Sequence, residues 1–570
     1  MRAPAYTPRK FLPESIDLAD ISALGPWMDR LEEELQKAET VSDLEQWLDR
    51  AGEFFAACDD EGSRRYVAMT CQTDDPDREK AYLQLIEVVE PWMKPKRFSL
   101  WRRLTSHPAF SQLSSEYQVF RRSAQTEVML YREANIARET ESAKLSQVYQ
   151  KTMGAMTVQF EGEEKTLTQL SPIQEEPDRP RRQAAWEASV HRRLQDADAI
   201  DTTFEQLIQL RESIAQEAGF TDFRAYSFEA KERFDYTPED CLTFHQTIET
   251  TFVPLTRSLQ QQRKETLSVD SLRPWDLGVD PLNRPPLRPF KTATEFVDKT
   301  SRTLHRLDPR LGRLFDDMKE RELLDLENRK GKAPGGYQAS LSEARLPFIF
   351  MNAVGMENDV KTLLHEAGHA FHTYQARDQR LYWYRWAPIE FCEVASMAME
   401  LLAAPYLTEF YTEGERLRSQ KDHLEGIIKF FPWMAIIDAF QHQIYTHPHQ
   451  SRDERDQAWN VLMNRFGGLE EWSGYEKVRS KLWHRQSHLF TSPFYYVEYG
   501  IAQLGALQLW RIFQEDQSRA IECYLHGLSL GGSKPLPDLF RETGIAFDFS
   551  EKTIQPLIDL LQKTIQQSGE

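Results

Sequence analysis

Two histidines in the stretch HEAGHAFH, residues 365–372, are spaced for a metal site. His365 and His369 lie four positions apart, so on a helix both imidazoles share one face, and Glu366 is turned toward the same space. The pattern predicts a Zn²⁺ ion held by the two histidines, with Glu366 as the general base for the attacking water in amide hydrolysis. The alternative is a chance match, in which the histidines are ordinary surface or core residues.

A catalytic zinc usually takes three protein ligands, so a third ligand is expected elsewhere in the chain. A third histidine ten residues after His365 is missing, because Gln375 occupies that position. The largely apolar stretch 388–400 (PIEFCEVASMAME) carries three acids instead. An ionised carboxylate in apolar surroundings normally needs a cation or a hydrogen-bond donor. We predict that Glu393 completes the site and that each chain binds one Zn²⁺.

Three further side chains near the motif have less direct roles. Glu400 follows Glu393 by seven positions and shares its helix face, so we expect it to orient a ligand histidine. Glu390 is expected to be a solvated residue at the start of a helix. His372 lies one turn beyond His369, and supporting a ligand or simply packing are both open roles for it.

Several segments outside the motif match a known family. They are RPWD at 273–276, LDLENRK at 324–330, GGYQ at 335–338, PFIFMN at 347–352, DVKTLL at 359–364, FCEVAS at 391–396, DAFQHQIY at 438–445 and SPFYYVEYG at 492–500. With HEAGHAFH they resemble the thimet oligopeptidase and oligoendopeptidase F family of zinc metallopeptidases, and more closely its bacterial oligoendopeptidase and Pz-peptidase branch. The resemblance runs from about residue 270 to 510, and the first 200 residues carry no comparably specific motif.

The resemblance assigns the zinc ligands and the base to the residues already named, and it adds a late segment. It implies that His488, Tyr496 and Tyr499 hold the substrate and stabilise the oxyanion, with Tyr495 as a substitute for one of the tyrosines. One donor aimed at the developing negative charge is worth ~3–4 kcal/mol. The alternatives are an aromatic core stripe for the tyrosines and a packed role for His488.

An apolar segment, residues 346–354, precedes the zinc motif and is expected to form a strand. The resemblance favours an edge strand that pairs with an extended substrate through its backbone at Phe348, Phe350, Asn352 and Ala353. A buried interior strand is the alternative. The helix that follows is expected to be capped by a residue at position 358 or 359.

Helical patterns dominate the rest of the chain. Strand signals are limited to a hairpin, with strands at 157–160 and 165–168, and to the segment near 347. We expect a mostly α fold of the zincin type, with a small β-sheet beside the HExxH helix. The resemblance implies helical lobes that enclose a substrate channel. Our working division places an N-terminal helical region at 1–195 and the catalytic region at 196–570.

Charge and composition restrict the partners. The chain has 70 basic and 89 acidic residues, for a net charge of −19, whereas nucleic acids and anionic membranes require a concentrated basic patch. Neither partner is expected. The first residues lack the apolar core of a signal peptide, no apolar run could span a bilayer, and the five cysteines show no metal or redox spacing. A reduced, cytoplasmic protein is expected, and its oligomeric state is left open.

These observations predict a zinc endopeptidase that cleaves internal bonds of short unfolded oligopeptides. A zinc carboxypeptidase or dipeptidyl-type peptidase on a similar scaffold is the first alternative, but no single Arg or Lys stands out to hold a substrate C-terminus. The second is a non-catalytic peptide-binding protein with a vestigial zinc site. Loss of the base or of a ligand would indicate that role, and both histidines, Glu366 and Glu393 are present.

Overall fold

The computed structural model describes residues 4–568 and consists mostly of helices. Residues 1–3, part of the segment expected to lack a leader, and residues 569–570 lie outside the described residues. The elements of the first part are α1 (Ile21–Lys37), α2 (Val41–Cys71), α3 (Pro76–Gln84), α4 (Glu90–Thr105), α5 (Gln118–Leu130), α6 (Glu133–Gly154), β1 (Thr157–Phe160), β2 (Glu163–Thr166), α7 (Leu167–Leu170), α8 (Arg179–Gln195), α9 (Ala197–Glu217), α10 (Phe223–Ala230), α11 (Pro238–Leu267), α12 (Ala293–Leu307) and α13 (Pro309–Glu320).

The second part begins with a small sheet and continues with helices. Its elements are β3 (Leu324–Glu327), β4 (Tyr337–Leu341), β5 (Leu346–Ala353), α14 (Glu357–Ala376), α15 (Ile389–Ala403), α16 (Glu413–Thr446), α17 (Arg452–Phe466), α18 (Glu476–Ser480), α19 (Ser487–Thr491), α20 (Tyr496–Glu515), α21 (Gln517–Ser529), α22 (Leu536–Glu542) and α23 (Glu551–Gln567). A mostly α fold with a small sheet beside the zinc-motif helix is therefore confirmed. Within residues 4–568, none of the helices combines the length and the apolar character that a membrane crossing requires.

The predicted edge strand, β5, lies in the middle of its sheet. The strand order is β3-β5-β4, with β5 parallel to β3 and antiparallel to β4. Residues 346–351 of β5 are all buried, on both faces of the sheet. A strand covered on both faces takes a continuous apolar run rather than an alternating one. The prediction of an edge strand was wrong. The continuous apolar run PFIF is typical of an interior strand.

The four residues predicted to bind the substrate backbone already have partners. Phe348 and Phe350 are buried and pair with β4, and Ala353 pairs with β3. The side-chain amide of Asn352 donates to two carbonyls in the loop that precedes β4. This assignment is therefore corrected, because an extended peptide cannot add to a strand whose two sides are occupied. The edge strand on one side of this sheet is β4.

Two smaller predictions are confirmed with shifted boundaries. Strands β1 and β2 form the expected antiparallel hairpin, although β2 begins two residues earlier than predicted. Asp359 caps α14 by accepting hydrogen bonds from the backbone amides of Val354 and Met356, each at 2.8 Å. This carboxylate occupies the third position of the helix, where it also complements the helix dipole.

The helices pack around two large hydrophobic cores. The first core joins apolar residues between Phe11 and Ala124 to a short segment at 381–384, directly after the zinc-motif helix. The second core contains most apolar residues of the later helices, and it already includes Tyr149 and Met156. The division at residue 195 stays a prediction, and the cores show that the first helices and the segment after α14 are packed as one unit.

Helices α14 and α15 touch at Gly368, where a side chain has no room. A Cβ atom at this position would lie 2.5 Å from the Ala395 carbonyl oxygen. We expect Gly368→Ala to lower the free energy of unfolding by ~1–3 kcal/mol, because such overpacking forces the two backbones apart. Denaturant unfolding measures this loss, and metal content should fall with it, since the crossing sets the distance from His369 to Glu393.

The matched control is Gly426→Ala on the exposed face of α16, where nothing lies within 4 Å of an added Cβ. Alanine is the better helix former by about 1 kcal/mol, so this variant should be at least as stable as the parent. Unchanged stability and metal content in Gly368→Ala would show that the crossing tolerates a wider separation.

Candidate active site

The three predicted zinc ligands meet between α14 and α15. The Nε2 atom of His365 lies 3.3 Å from Oε2 of Glu393, and Nε2 of His369 lies 3.7 Å from the same oxygen. The three ligand atoms all lie within 4.8 Å of one another. Ligands that each bind one zinc ion at ~2.0–2.2 Å require atom separations of this order. The residues present therefore fit the predicted ion.

Each predicted ligand also makes a hydrogen bond to a neighbouring group that orients its side chain. Nδ1 of His365 lies 2.7 Å from Oε1 of Glu400, as predicted for Glu400. The His369 ring bonds to the Cys392 backbone carbonyl, and the Ser396 hydroxyl donates to Glu393 at 3.0 Å. Such partners fix the ring orientation and raise the basicity of a ligand.

The carboxylates make this point attractive to a cation. Burial lowers the pKa of His365, but hydrogen bonds to Glu393 and Glu400 outweigh it and raise the pKa to about 10. Burial raises the pKa of Glu400, but its bonds to His365 and His423 hold that pKa at about 2. His369 has its pKa lowered to about 4, mainly by burial, so its imidazole is neutral near pH 7 and free to donate a lone pair.

Glu366 faces the same space without joining the ligands. Its side chain is buried, and burial, as the largest cause, raises the pKa of its carboxyl to about 7. The backbone amide of Gln338 on β4 donates a hydrogen bond to it. The proposed base therefore sits between the ligand cluster and the outer strand of the sheet.

Removing the charge of Glu400 should weaken metal binding without abolishing it. Glu400→Gln keeps the shape of the side chain but loses the anion that holds His365 and His423. Losses of this kind typically cost ~10- to 100-fold in metal affinity. Competition with a chelator of known affinity measures the change. An affinity within twofold of the parent would mean that the ring of His365 is oriented by other contacts.

The late aromatic segment is assembled at the start of α20. The ring of His488 lies 5.8 Å from Tyr495, 5.1 Å from Tyr496 and 6.0 Å from Tyr499, and its Nδ1 contacts the side chain of Gln486 at 2.8 Å. Burial, followed by the nearby Lys231, lowers the pKa of His488. The four predicted aromatic residues therefore form one cluster.

The tyrosines face different neighbours. Burial and the charge of Glu393 raise the pKa of Tyr499 to about 12, and the same two causes raise the pKa of Tyr495. Tyr496 instead interacts with Trp433, Gln486 and Arg485. The structure thus brings Tyr495 and Tyr499 within electrostatic reach of Glu393, a predicted zinc ligand, and turns Tyr496 toward another part of the protein.

One prediction, for Glu390, differs from the structure, and His372 is found in one of its two open roles. Glu390 is buried, and it accepts a hydrogen bond from Tyr236 at 2.6 Å, so the solvated helix start was wrong. His372 is buried against Phe391, and its Nε2 atom has no hydrogen-bond partner within the described residues. Burial and the neighbouring His369 lower the pKa of His372 to about 3, which fits a packed, neutral imidazole.

Sequence reasoning missed two residues at the site. His423 on α16 lies with its Nε2 3.0 Å from Oε2 of Glu400, and Gln338 on β4 bonds to Glu366. Gln338 is the last residue of the segment GGYQ, but it was given no role of its own. His423 belongs to no motif, and its only signal was that an apolar stretch with a second acid, Glu400, needed more than one donor.

A second group of potential ligands lies on α11 and α16. Cys241, Asp438 and His442 have ligand atoms within 4.8 Å of one another, and all three are buried. Asp438 also accepts a hydrogen bond from His245 at 2.9 Å. The HExxH cluster adjoins an accessible cavity and has Glu366 beside it, so it is the candidate active site.

A cavity of about 500 Å³ adjoins the ligand cluster on the β4 side. Its lining includes residues 338–340 of β4, His369 and His372 on α14, and helix α2 around Asp59. This volume lies within the range of peptide and drug-sized ligand sites. The outer strand and His369, one of the predicted ligands, therefore line one accessible space, and Gln338 on that strand also contacts Glu366.

Comparison with known proteins identifies the family. The family model described as Peptidase family M3 matches residues 173–557. The chain is 27% identical over 332 residues to a protein named Oligoendopeptidase F homolog from Borreliella burgdorferi, covering 55% of this chain and 53% of that protein. It is 25% identical over 299 residues to Oligopeptidase PepF from Bacillus subtilis, covering 51% and 44%. The aligned part thus spans about half the length of these relatives or less.

Solved structures resemble the chain over nearly its full length. A structure of Pz peptidase A with an inhibitor has a TM-score of 0.87 at 29% identity and covers 98% of this chain and 99% of its own. A putative oligoendopeptidase F from Bacillus anthracis has a TM-score of 0.83 at 26% identity and covers 97% of both chains. The predicted family and fold class are confirmed, and the chain belongs to peptidase family M3.

Proposed function

We propose that this protein is a zinc-dependent endopeptidase that hydrolyses internal bonds of short, unfolded peptides. The observation that carries this proposal is the convergence of His365, His369 and Glu393 on one point, with the buried Glu366 beside it. The names of the relatives, which include oligoendopeptidase and oligopeptidase, support the same activity.

The chain's own residues account for the proton transfers. A bound Zn²⁺ would polarise the scissile carbonyl and lower the pKa of the attacking water. Glu366 accepts the proton of that water and later delivers it to the leaving amine. Its pKa of about 7 suits a group that must both take and give a proton near neutral pH.

The aromatic cluster stabilises the charge that develops on the carbonyl oxygen. His488 and Tyr499 are the donors that we assign to this role, together with Tyr496 or Tyr495. The charge of Glu393 acts on Tyr495 and Tyr499, which supports placing these two hydroxyls near the zinc. A raised phenol pKa keeps each tyrosine protonated and able to donate.

The substrate backbone is assigned to β4 in place of β5. One side of β4 pairs with β5, and residues 338–340 on its other side line the cavity next to the base. An extended peptide that adds to this strand would be held by main-chain hydrogen bonds, with little regard for its side chains. Broad sequence tolerance follows from this mode of binding.

Two other activities remain as alternatives. A carboxypeptidase or dipeptidyl-type enzyme would release only one or two residues from an end of each peptide, and a non-catalytic binding protein would cut nothing. The cytoplasmic location also stays a prediction from the sequence. Mapping the cuts by mass spectrometry in a mixture of peptides separates the three activities, because only an endopeptidase produces fragments from internal positions.

Substrate size gives the sharpest test of the proposal. Pairing with β4 across the cavity requires ~8 extended residues, roughly 26 Å of chain, so a folded domain should be excluded. A free peptide should be cut, whereas the same sequence in an exposed loop of a stable protein should survive. Loop cleavage at a rate near that of the free peptide would show an open cleft and a general proteinase.

A further inference from the structure

A second cavity, of about 510 Å³, lies beside the late aromatic segment. Its lining includes Trp433 and Lys429 on α16 and Arg485 in the segment before α19. Trp433 and Arg485 both interact with Tyr496, and Gln486 next to them contacts His488. The cavity therefore lies next to side chains that contact Tyr496 and His488, two of the proposed oxyanion donors.

Helix α16 links this cavity to the zinc cluster. His423 contacts Glu400 at 3.0 Å, and Lys429 and Trp433 follow on the same helix. At 1.5 Å of rise per residue they lie ~9 and ~15 Å along the helix from His423. An extended peptide covers that distance in roughly three to five residues. The cavity therefore lies within the length of a short peptide from the zinc cluster.

Three arginines line this cavity without a carboxylate at ion-pair distance in residues 4–568. Arg263 donates to two backbone carbonyls, whereas Arg193 and Arg485 have no such partner in the described part of the chain. Of the acids in the lining, Glu425 pairs with Lys429 and Glu470 accepts from Gln260. Desolvation by the surrounding protein lowers the pKa of the Arg193 and Arg485 guanidinium groups, and the charge of Arg193 lowers that of Arg485 further. The Nε atom of Arg193 is buried without a hydrogen-bond partner.

Unpaired cations that lie together in one cavity are unexpected in a chain with a net charge of −19, because acidic partners are abundant. Arg485 is exposed to the cavity and is repelled by Arg193, so an anion that enters the cavity is favoured. Arg485 also lies over the ring of Trp433, with its guanidinium carbon 5.1 Å from the ring centroid. A guanidinium stacked on an aromatic ring can still donate from its edge to a carboxylate.

We propose that Arg485 and Arg193 bind the C-terminal carboxylate of the peptide substrate. The inference rests on the proposed peptidase function and specifies its substrates as peptides with a free C-terminus. A guanidinium binds a carboxylate through two parallel hydrogen bonds, and every unmodified peptide supplies that group whatever its sequence. Trp433, Trp186 and Trp472 line the same cavity and provide apolar surface for the last side chains. The cut would then fall a few residues before the C-terminus.

The test compares three peptides of one sequence of roughly eight residues, which is long enough to span the site. The first ends in a free carboxylate, the second in an amide, and the third in an amidated aspartate. We expect the amide to show a roughly tenfold or greater increase in KM over the free acid, with kcat little changed. Arg485→Ala should raise the KM of the free acid to that of the amide, and Arg485→Lys should keep part of the difference.

The control for the loss of an arginine is Arg541→Ala. The side chain of Arg541 is 66% exposed, and its removal should leave all three KM values unchanged. Equal KM values for acid and amide in the parent, or a difference that persists in Arg485→Ala, would overturn the inference. Equal binding of the amidated aspartate and the free acid would overturn it too, because a side-chain carboxylate would then suffice.

A binding measurement keeps the inference independent of catalysis. Calorimetry with the zinc-loaded Glu366→Gln variant should show tighter binding of the free acid than of the amide. Binding of this kind without cleavage by the parent would refute the peptidase proposal and leave the carboxylate site standing. Circular dichroism and zinc content establish that Arg485→Ala is folded, and Arg485→Lys provides the comparison if it is not.

Discussion

Glu366→Gln is expected to keep its zinc and to lose ~10²- to 10⁴-fold in kcat, because general acid-base catalysis contributes that much. The amide has nearly the same size as the carboxylate but cannot accept the proton of the attacking water. Glu366 is not a member of the ligand cluster, so the metal should remain. Steady-state kinetics on one peptide and metal analysis of the same preparation provide the two measurements.

The matched control is Glu320→Gln, an exposed glutamate at the end of α13. It makes the same chemical change far from the ligand cluster in sequence and should alter neither kcat nor zinc content. A parent-like kcat in Glu366→Gln with full metal occupancy would remove Glu366 from the role of base. Loss of zinc along with activity would instead place it among the ligands.

His369→Ala is expected to lose zinc and activity together. The Nε2 atom of His369 and that of His365 both point at Oε2 of Glu393, so removing one imidazole leaves two ligands where a catalytic zinc takes three. Activity should fall to the background of the uncatalysed reaction at normal assay concentrations of zinc. Metal analysis after gel filtration and a peptide assay measure the two losses.

A histidine outside the site provides the comparison. The side chain of His449 is 84% exposed, and His449→Ala should retain one zinc per chain and full turnover. Stoichiometric zinc and normal turnover in His369→Ala would mean that the metal is held elsewhere, and the buried group of Cys241, Asp438 and His442 would then be the next candidate.

The sequence predicted the parts of the site that depend on local helical geometry. His365, His369 and Glu366 follow from spacing within one helix, and Glu393 and Glu400 from spacing within the next. These residues needed only one non-local assumption, that α14 and α15 pack together. Gly368 allows that close approach, and it lies inside the motif itself.

The sequence could not predict features that depend on pairing with other segments. The position of β5 within the sheet depends on β3 and β4, whose short mixed sequences give weak strand signals. The buried position of Glu390 depends on a hydrogen bond from Tyr236. The proposed role of Arg485 depends on its proximity to Arg193. The members of these last two pairs lie more than a hundred positions apart, and no local pattern encodes such a contact.

The composition of the first hydrophobic core has a consequence for how the chain is made. Its buried residues in the early helices end at Ala124, but the core also contains Leu381, Tyr382 and Tyr384. A ribosome must add residues 125–381 before that segment exists, which takes roughly 13–50 seconds at ~5–20 residues per second. During this interval the rings of Phe55, Trp101 and Phe120, which contact Trp383 in the folded protein, lack that cover. The nascent chain should therefore depend on chaperones, and it should fold late even though its N-terminal part emerges first.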